Sequence, residues 1–330
     1  MAKPPYTITT KMVNLISKIS EEMTKIEVEE KNIITPALRK ISRIKTLAGT
    51  LEIEGNFLGE EKITAILDGK RVLGTYQEIL EVEGAINAYK EFENYNHKNI
   101  KELLRAHKIL MSGILKTAGN FRTVNVGVGG KDGVTHIAPQ PHFVPKLMED
   151  LFDWLKNSDE HPLIKSCVFH YEFEFIHPFS DGNGRIGRLW QSVILYSWKK
   201  AFIVIPTESI VRDYQKRYYQ VLEESGSLGE STPFVEFMLE VILKSIEKSL
   251  KSSVKSSVKN SVKSSVNTED KILKLLKENS KITINELAYI LNLTTRAIEK
   301  SIAKLKVDNK LLRVGSARKG HWEIIINGMH

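Results

Sequence analysis

Phe173-Glu174-Phe175-Ile176-His177-Pro178-Phe179-Ser180-Asp181-Gly182-Asn183-Gly184-Arg185-Ile186-Gly187-Arg188 is the stretch from which the rest of the chain is read. It runs into the apolar segment Leu189 to Trp198 and so describes a loop that opens a helix. Gly182 and Gly184 allow positive φ and a close approach of the backbone to a ligand. Successive N–H groups at such a helix start would form an anion-binding nest. Arg185 and Arg188, three apart, would share one face of the first turn. Cations at a helix N-terminus are unfavourable by a few tenths to ~1 kcal/mol, a penalty that disappears when an anion lies between them.

Asp181 stands just before the nest, where one carboxylate together with substrate phosphates commonly holds Mg²⁺. His177, four residues earlier, titrates near neutrality and suits a general base. Taken singly, each feature has a plain structural reading: a loop histidine before Pro, turn dipeptides Asp-Gly and Asn-Gly, a solvated pair of arginines. Taken as one ordered string, they describe an enzyme that handles a nucleotide polyphosphate and activates a hydroxyl.

Outward from this stretch, residues 8 to 250 read mainly as helices, with apolar residues at three- and four-residue spacing in Ile100 to Leu115, Val144 to Leu155 and Phe234 to Ile246. The clearest strand signal is Val124 to Ala138, where Lys131-Asp132-Gly133 turns a hairpin that Pro139 and Pro141 end. Lys251-Ser-Ser-Val and its three near-copies, to Val266, form a low-complexity repeat whose four valines drift around a helix axis. The expectation is a solvated linker over 251–267, favoured over an extension of the preceding helix.

From Thr268 to the C-terminus the pattern is helix, helix (Ile284 to Leu291), short turn, helix (Thr295 to Val307), then two strand-like pieces within Leu311 to Ile326. It resembles a winged helix-turn-helix with Thr295 to Val307 as recognition helix. Arg296, Lys300 and Lys304 repeat along one side of that helix, and Arg313, Arg318, Lys319 and His321 mark the wing. Such charge is where a DNA backbone is neutralised, while a module for protein contact or a solvated face fits the same residues.

Composition agrees with this division. The 330 residues carry a net charge of +8 with 42% hydrophobic content, enough for two domains. Residues 251–330 hold 16 Lys and Arg against 7 Asp and Glu, a net +9, so the other 250 residues, with 32 against 33, stand at −1. Attraction to polyanions therefore belongs to the C-terminal quarter. The single cysteine, Cys167, excludes a disulfide framework or a Cys-rich zinc site and points to a reducing compartment. Met1 to Thr10 lacks the apolar core of a leader, and no run approaches the ~20 apolar residues of a membrane span. The expectation is a soluble, cytoplasmic protein without membrane association.

The central string matches the Fic motif His-Pro-Phe-x-Asp/Glu-Gly-Asn-Gly-Arg-x-x-Arg at every specified position, and the chain resembles a Fic-domain protein over Lys98 to Ser231. The resemblance implies a mainly α Fic-fold helical bundle with a β-hairpin flap, followed by the small winged-helix domain. The corresponding domains are 1–97 (N-terminal helices), 98–250 (catalytic), 251–267 and 268–330. It implies transfer of AMP from ATP, with Mg²⁺, to a Ser, Thr or Tyr hydroxyl of a protein, releasing pyrophosphate. His177 would be the base and Asp181 the Mg²⁺ ligand. Gly182, Asn183 and Gly184 would form the anion hole, with Arg185 at the β-phosphate and Arg188 at the γ-phosphate.

Tyr218 and Tyr219 resemble the pair that flanks adenine, a reading that competes with a core role. The hairpin resembles the flap that holds a target by main-chain pairing, with Thr135, His136 and Ile137 as the exposed strand. Thr50-Leu-Glu-Ile-Glu54-Gly55-Asn56 matches the family's inhibitory motif, which implies that Glu54 pairs with Arg188 in place of the γ-phosphate and holds the enzyme in a low-activity state. Two alternatives stay open beside the adenylyltransferase: a DNA-binding regulator whose Fic domain senses nucleotide, and a Fic enzyme with another nucleotide donor or with AMP-removing activity. The partners expected are a protein substrate, ATP and DNA; a homodimer is compatible with the sequence.

Overall fold

The structure, a computed structural model, describes residues 3–28, 34–130, 133–265, 268–280, 282–291, 293–315 and 320–325. The chain divides into two compact units, Met1–Lys251 and Ser252–His330. In the first, the helices are α1 (Thr10–Val28), α2 (Pro36–Ile53), α3 (Gly59–Leu67), α4 (Tyr76–Lys90) and α5 (Ile100–Leu110), then α6 (Val144–Asn157), α7 (Pro162–Ile176), α8 (Asn183–Trp198), α9 (Thr207–Asp213) and α10 (Gln215–Leu228). Between α5 and α6 stands an antiparallel hairpin, β1 (Gly127–Gly130) and β2 (Gly133–Ile137), in which Val128 pairs with His136 and a bulge follows Val128. Its turn, Lys131-Asp132, lies outside the described residues.

The core explains why α7 and α8 are central. Leu163, Ile164, Cys167, Val168, Phe169 and Phe173 of α7 are all buried, as are Ile186, Leu189, Trp190, Val193 and Ile194 of α8. A helix apolar around its circumference has to be enclosed on all sides, and these two pack against each other inside the remaining helices. Cys167 is free, and burial pushes its thiol up to about 12. Among the described residues no helix is long and apolar enough to cross a membrane.

The helix after α10, α11 (Thr232–Ser265), departs from the sequence expectation. It runs through most of the Lys-Ser-Ser-Val repeat, where a non-helical linker was expected. Lys, Ser and Val carry only small helix penalties, and no Gly or Pro interrupts the repeat, so elongation of a helix already nucleated at Thr232 costs little. Val266 and Asn267 lie outside the described residues.

The second unit has α12 (Thr268–Glu278), α13 (Ile284–Leu291) and α14 (Thr295–Val307), then a hairpin of β3 (Leu311–Val314) and β4 (His321–Ile324). Thr283 and Glu286 form reciprocal caps at the start of α13, and Thr294 accepts from the Ala297 N–H at the start of α14. Ile272, Leu276, Leu287, Ile298, Ile302 and Leu305 form the core, covered by Trp322, whose indole N–H donates to the Ile282 carbonyl at 3.2 Å. This is the expected three-helix and wing arrangement; Arg318 and Lys319 lie outside the described residues.

Gly84 marks where α4 crosses the end of α5: a Cβ there would collide with the Leu110 carbonyl oxygen and lie 3.1 Å from its carbon. Alanine is the better helix former by ~1 kcal/mol, but overpacking against backbone costs about 1–3 kcal/mol. Gly84→Ala is therefore expected to lower the melting temperature, measured by calorimetry; an unchanged or higher value would contradict the close crossing.

Candidate active site

The loop between α7 and α8 is built around His177, the C-cap of α7 at φ 50° and ψ 60°. A non-glycine residue in the left-handed region is disfavoured and persists where its surroundings hold it. Its N–H donates to the Phe173 carbonyl at 2.9 Å, and its carbonyl accepts from Arg122 Nε at 2.8 Å. Arg122 is buried and spends its other donors on the carbonyls of Val124 (2.9 Å), Pro139 (2.5 Å) and Ile176 (3.3 Å). One guanidinium thus ties the catalytic loop to both ends of the β1–β2 hairpin.

His177 has a depressed pKa, first through burial, with Arg122 pushing the same way and Glu174 and Glu54 pulling back. Its imidazole is neutral at pH 7, the form a base requires. Nδ1 is buried and has no hydrogen-bond partner among the described residues.

The next segment presents the anion site. Gly182 is the N-cap of α8 at φ 82°, and a Cβ there would stand 2.7 Å from Met111 Sδ. The first backbone donors of α8, from Asn183, Gly184 and Arg185, have no intrahelical acceptor. The side chain of Asn183 faces inward: Oδ1 accepts from the Phe179 N–H at 2.9 Å and Nδ2 donates to the Phe179 carbonyl at 2.8 Å. Only its main chain is left for an anion.

Asp181 Oδ1 accepts from the Gly182 N–H at 2.6 Å and from Arg185 Nη2 at 3.2 Å, while the side chain is 53% exposed. Arg185 is buried, lies 3.9 Å from Glu81 and leaves Nε without a partner among the described residues. No sequence signal marked His107, yet it supports this loop. Its Nδ1 accepts from the Gly119 N–H at 2.9 Å, so Nε2 carries the proton and donates to the Asp181 carbonyl at 3.0 Å. Its ring stacks on Phe179 at 3.6 Å. Burial pushes its pKa down to about 4, which keeps this donor arrangement at pH 7.

Arg188, one turn into α8, is only 2% exposed. Nε donates to Thr50 Oγ1 at 3.0 Å, and Nη2 donates to the Thr50 carbonyl at 3.2 Å and to Glu54 Oε1 at 2.6 Å. Burial opposes its charge, and Glu54 more than restores it, so the guanidinium stays protonated. Glu54 caps the C-terminus of α2. Gly55 follows at φ 90°, its N–H bonds the Glu52 carbonyl, and the Asn56 N–H bonds the Leu51 carbonyl, a Schellman stop. The Gly-Asn of the motif is thus the device that ends the helix with Glu54 outermost. A Cβ on Gly184 would collide with Glu54 Oε1. The carboxylate therefore lies against the helix start that the anion needs.

Of the proposed adenine pair, Tyr218 is displaced by the structure into the core. It is 1% exposed and its hydroxyl meets His170 Nε2 at 3.0 Å, within a network that continues from His170 Nδ1 to Gln191 at 2.7 Å. The apolar side of α10 has to be buried against α7 and α11, and Tyr218 lies on that side. Tyr219, at 48% exposed, is the member that presents a ring face. Thr135, His136 and Ile137 lie on β2. In the second unit Arg296, Lys300 and Lys304 are all exposed on α14, with Lys304 3.7 Å from Glu269.

The Fic/DOC family matches residues 98–195 and an HTH domain matches residues 268–321. The crystal structure of a Fic family protein from Desulfovibrio desulfuricans G20 superposes with a TM-score of 0.77 at 38% identity, covering 100% of both chains. A fragment of Fic-1 from Caenorhabditis elegans shares the fold at TM-score 0.59 and 22% identity, over 74% of this chain and 73% of that one. The protein adenylyltransferase Fic of Aedes aegypti is 29% identical over 226 residues, 64% of this chain and 43% of its own. The protein adenylyltransferase fic-1 of Caenorhabditis elegans is 27% identical over 201 residues, 57% and 37% respectively. The chain thus spans less than half the length of these two relatives.

His177 and His107 both resist protonation because burial penalises the imidazolium. The unfolded chain binds these protons near pH 6.5, so their contribution to stability is complete above that pH and is lost as pH falls, down to about 4 for His107. An NMR titration is expected to place both midpoints below 6.5; a midpoint above it at either residue would contradict the burial.

Proposed function

Because the chain belongs to the Fic family, we propose that it is a protein adenylyltransferase held in a low-activity state by its own Glu54. The observation that carries this is the Glu54–Arg188 pair at 2.6 Å, set against the start of the helix that follows His177 and Asp181.

In the proposed reaction ATP lies with its phosphates over the N-terminus of α8. The N–H groups of Asn183 and Gly184 meet the α-phosphate, Arg185 the β-phosphate and Arg188 the γ-phosphate. The flap strand Thr135 to Ile137 pairs with an extended target segment and presents its Ser, Thr or Tyr hydroxyl. His177 takes the hydroxyl proton, the oxygen bonds to the α-phosphorus, and the bond from that phosphorus to the bridging oxygen breaks. Pyrophosphate leaves carrying the electron pair. Positioning and charge neutralisation supply most of the rate gain in such transfers.

The residues fit Mg²⁺: Asp181 is half exposed, and its Oδ2 makes no hydrogen bond among the described residues, beside the anion site. Among the described residues no group of three or more His, Cys, Asp or Glu is placed to hold a metal, so the nucleotide would supply most ligands. When bound, the cation neutralises charge on the leaving pyrophosphate. The free, buried Cys167 fits a cytoplasmic setting.

Glu54 bars productive binding because its carboxylate holds the guanidinium that the γ-phosphate needs. Glu54→Gly is expected to raise incorporation of labelled AMP into protein at least tenfold, roughly the effect of a 1.4 kcal/mol bias. Adding His177→Ala should abolish the gain while nucleotide binding persists. Unchanged labelling in Glu54→Gly would sink the autoinhibition reading. Mass spectrometry of labelled protein tests the donor, because another transferred group, or loss of AMP from a modified target, would replace adenylylation.

We also propose that the second unit binds duplex DNA, because α14 buries Ile298, Ile302 and Leu305 and leaves Arg296, Lys300 and Lys304 in solvent. Three phosphate contacts would make log K fall with log salt at a slope of about −3. Fluorescence anisotropy with full-length protein is expected to show that dependence, and no binding at low salt would reject it.

A further inference from the structure

The Glu54–Arg188 bond needs a carboxylate held to within tenths of an ångström at the end of an 18-residue helix. What holds α2 there lies on one face. Ser42 Oγ donates to the Val204 carbonyl at 2.9 Å. Arg212 Nη1, on α9, donates to Glu52 Oε2 at 2.9 Å, and Gln215 Nε2 donates to the Ile53 carbonyl at 2.9 Å. Between them is Gly49, in the helix interior, where glycine costs ~1 kcal/mol relative to alanine.

The reason for glycine is visible in the contact it makes. A Cβ on Gly49 would stand 2.7 Å from the carbonyl carbon of Glu208, 2.7 Å from the Ser209 nitrogen and 2.9 Å from the Glu208 oxygen. These are backbone atoms of the first turn of α9 and cannot swing aside. That turn is itself held. The buried Glu208 carboxylate accepts from Ser192 Oγ of α8 at 2.8 Å and from the Tyr89 hydroxyl of α4 at 3.2 Å. Ser192 and Arg188 belong to the same helix, one turn apart. The seat of α2 and the arginine it must reach are therefore built on one framework.

We propose that Gly49 is a positioning residue for inhibition: its missing side chain lets α2 seat on α9, and this seat places Glu54 against Arg188 and Gly184. The proposal rests on the reading that Glu54 restrains nucleotide transfer. A side chain at position 49 would lift α2 from α9 five residues before Glu54 and loosen the pair, with every active-site residue unchanged.

The test compares full-length wild type, Gly49→Ala, Arg212→Ala, Glu54→Gly and the double variant Gly49→Ala/Glu54→Gly. Labelled ATP and Mg²⁺ report the rate of protein labelling, and calorimetry reports stability. Gly49→Ala is expected to label about tenfold faster than wild type. Arg212→Ala, which keeps the close contact and loses one tether, should give a gain of about threefold. The double variant should be no faster than Glu54→Gly, because residues acting through one element do not add. A purely structural role would slow labelling in both backgrounds.

If Glu54→Gly gains and neither Gly49→Ala nor Arg212→Ala does, the seat is not the restraint and the proposal fails alone. Should Gly49→Ala fail to fold, Arg212→Ala decides in the same way. Absence of gain in Glu54→Gly itself overturns the underlying reading, and the proposal with it.

Discussion

A guanidinium withdrawn from water has to be answered by an opposite charge or by a full set of acceptors, and Arg188 is such a group. Its three bonds come from Thr50 and Glu54, residues more than 130 positions away in the chain. That requirement binds α2 to α8 and makes the N-terminal helices part of the active site. The same group that stabilises the closed arrangement is the one a γ-phosphate would claim. In the proposed autoinhibition, stability and restraint are one interaction, and an activator would have to offer Arg188 a better anion.

The catalytic loop shows the same economy of buried polar groups. Arg122 meets four backbone carbonyls, which together offset the cost of its burial. Asn183 closes the turn at Phe179, and His107 pins the Asp181 carbonyl through a tautomer fixed by Gly119. With these contacts the left-handed conformation of His177 is held rather than sampled. His177, Asp181 and the start of α8 are consequently placed by residues that lie behind the loop.

The charge distribution differs between the two units. The first is close to neutral, and its important cations are buried singly, each with its own partners. The second carries Arg296, Lys300 and Lys304 on the exposed side of α14, where they do not disturb the packing of Ile298 and Ile302. A polyanion of the size of DNA responds to summed surface charge, whereas a bound nucleotide responds to the direction of individual N–H and guanidinium groups.

From the sequence by itself came the motif His177 to Arg188, its loop-then-helix form, the pairing of Glu54 with Arg188, the hairpin and the winged helix. All of these are local patterns of period, turn chemistry and order along the chain. The repeat after residue 251 misled because composition describes solvation, while helix elongation depends on what precedes it. Tyr218 and Tyr219 could not be told apart, since adjacent residues on a helix differ in burial only through what packs against them. Arg122, His107 and Gly49 were decided by tertiary structure alone. Their roles are to satisfy a carbonyl, to fix a tautomer and to admit a neighbouring backbone, and each depends on a partner that chain order does not reveal.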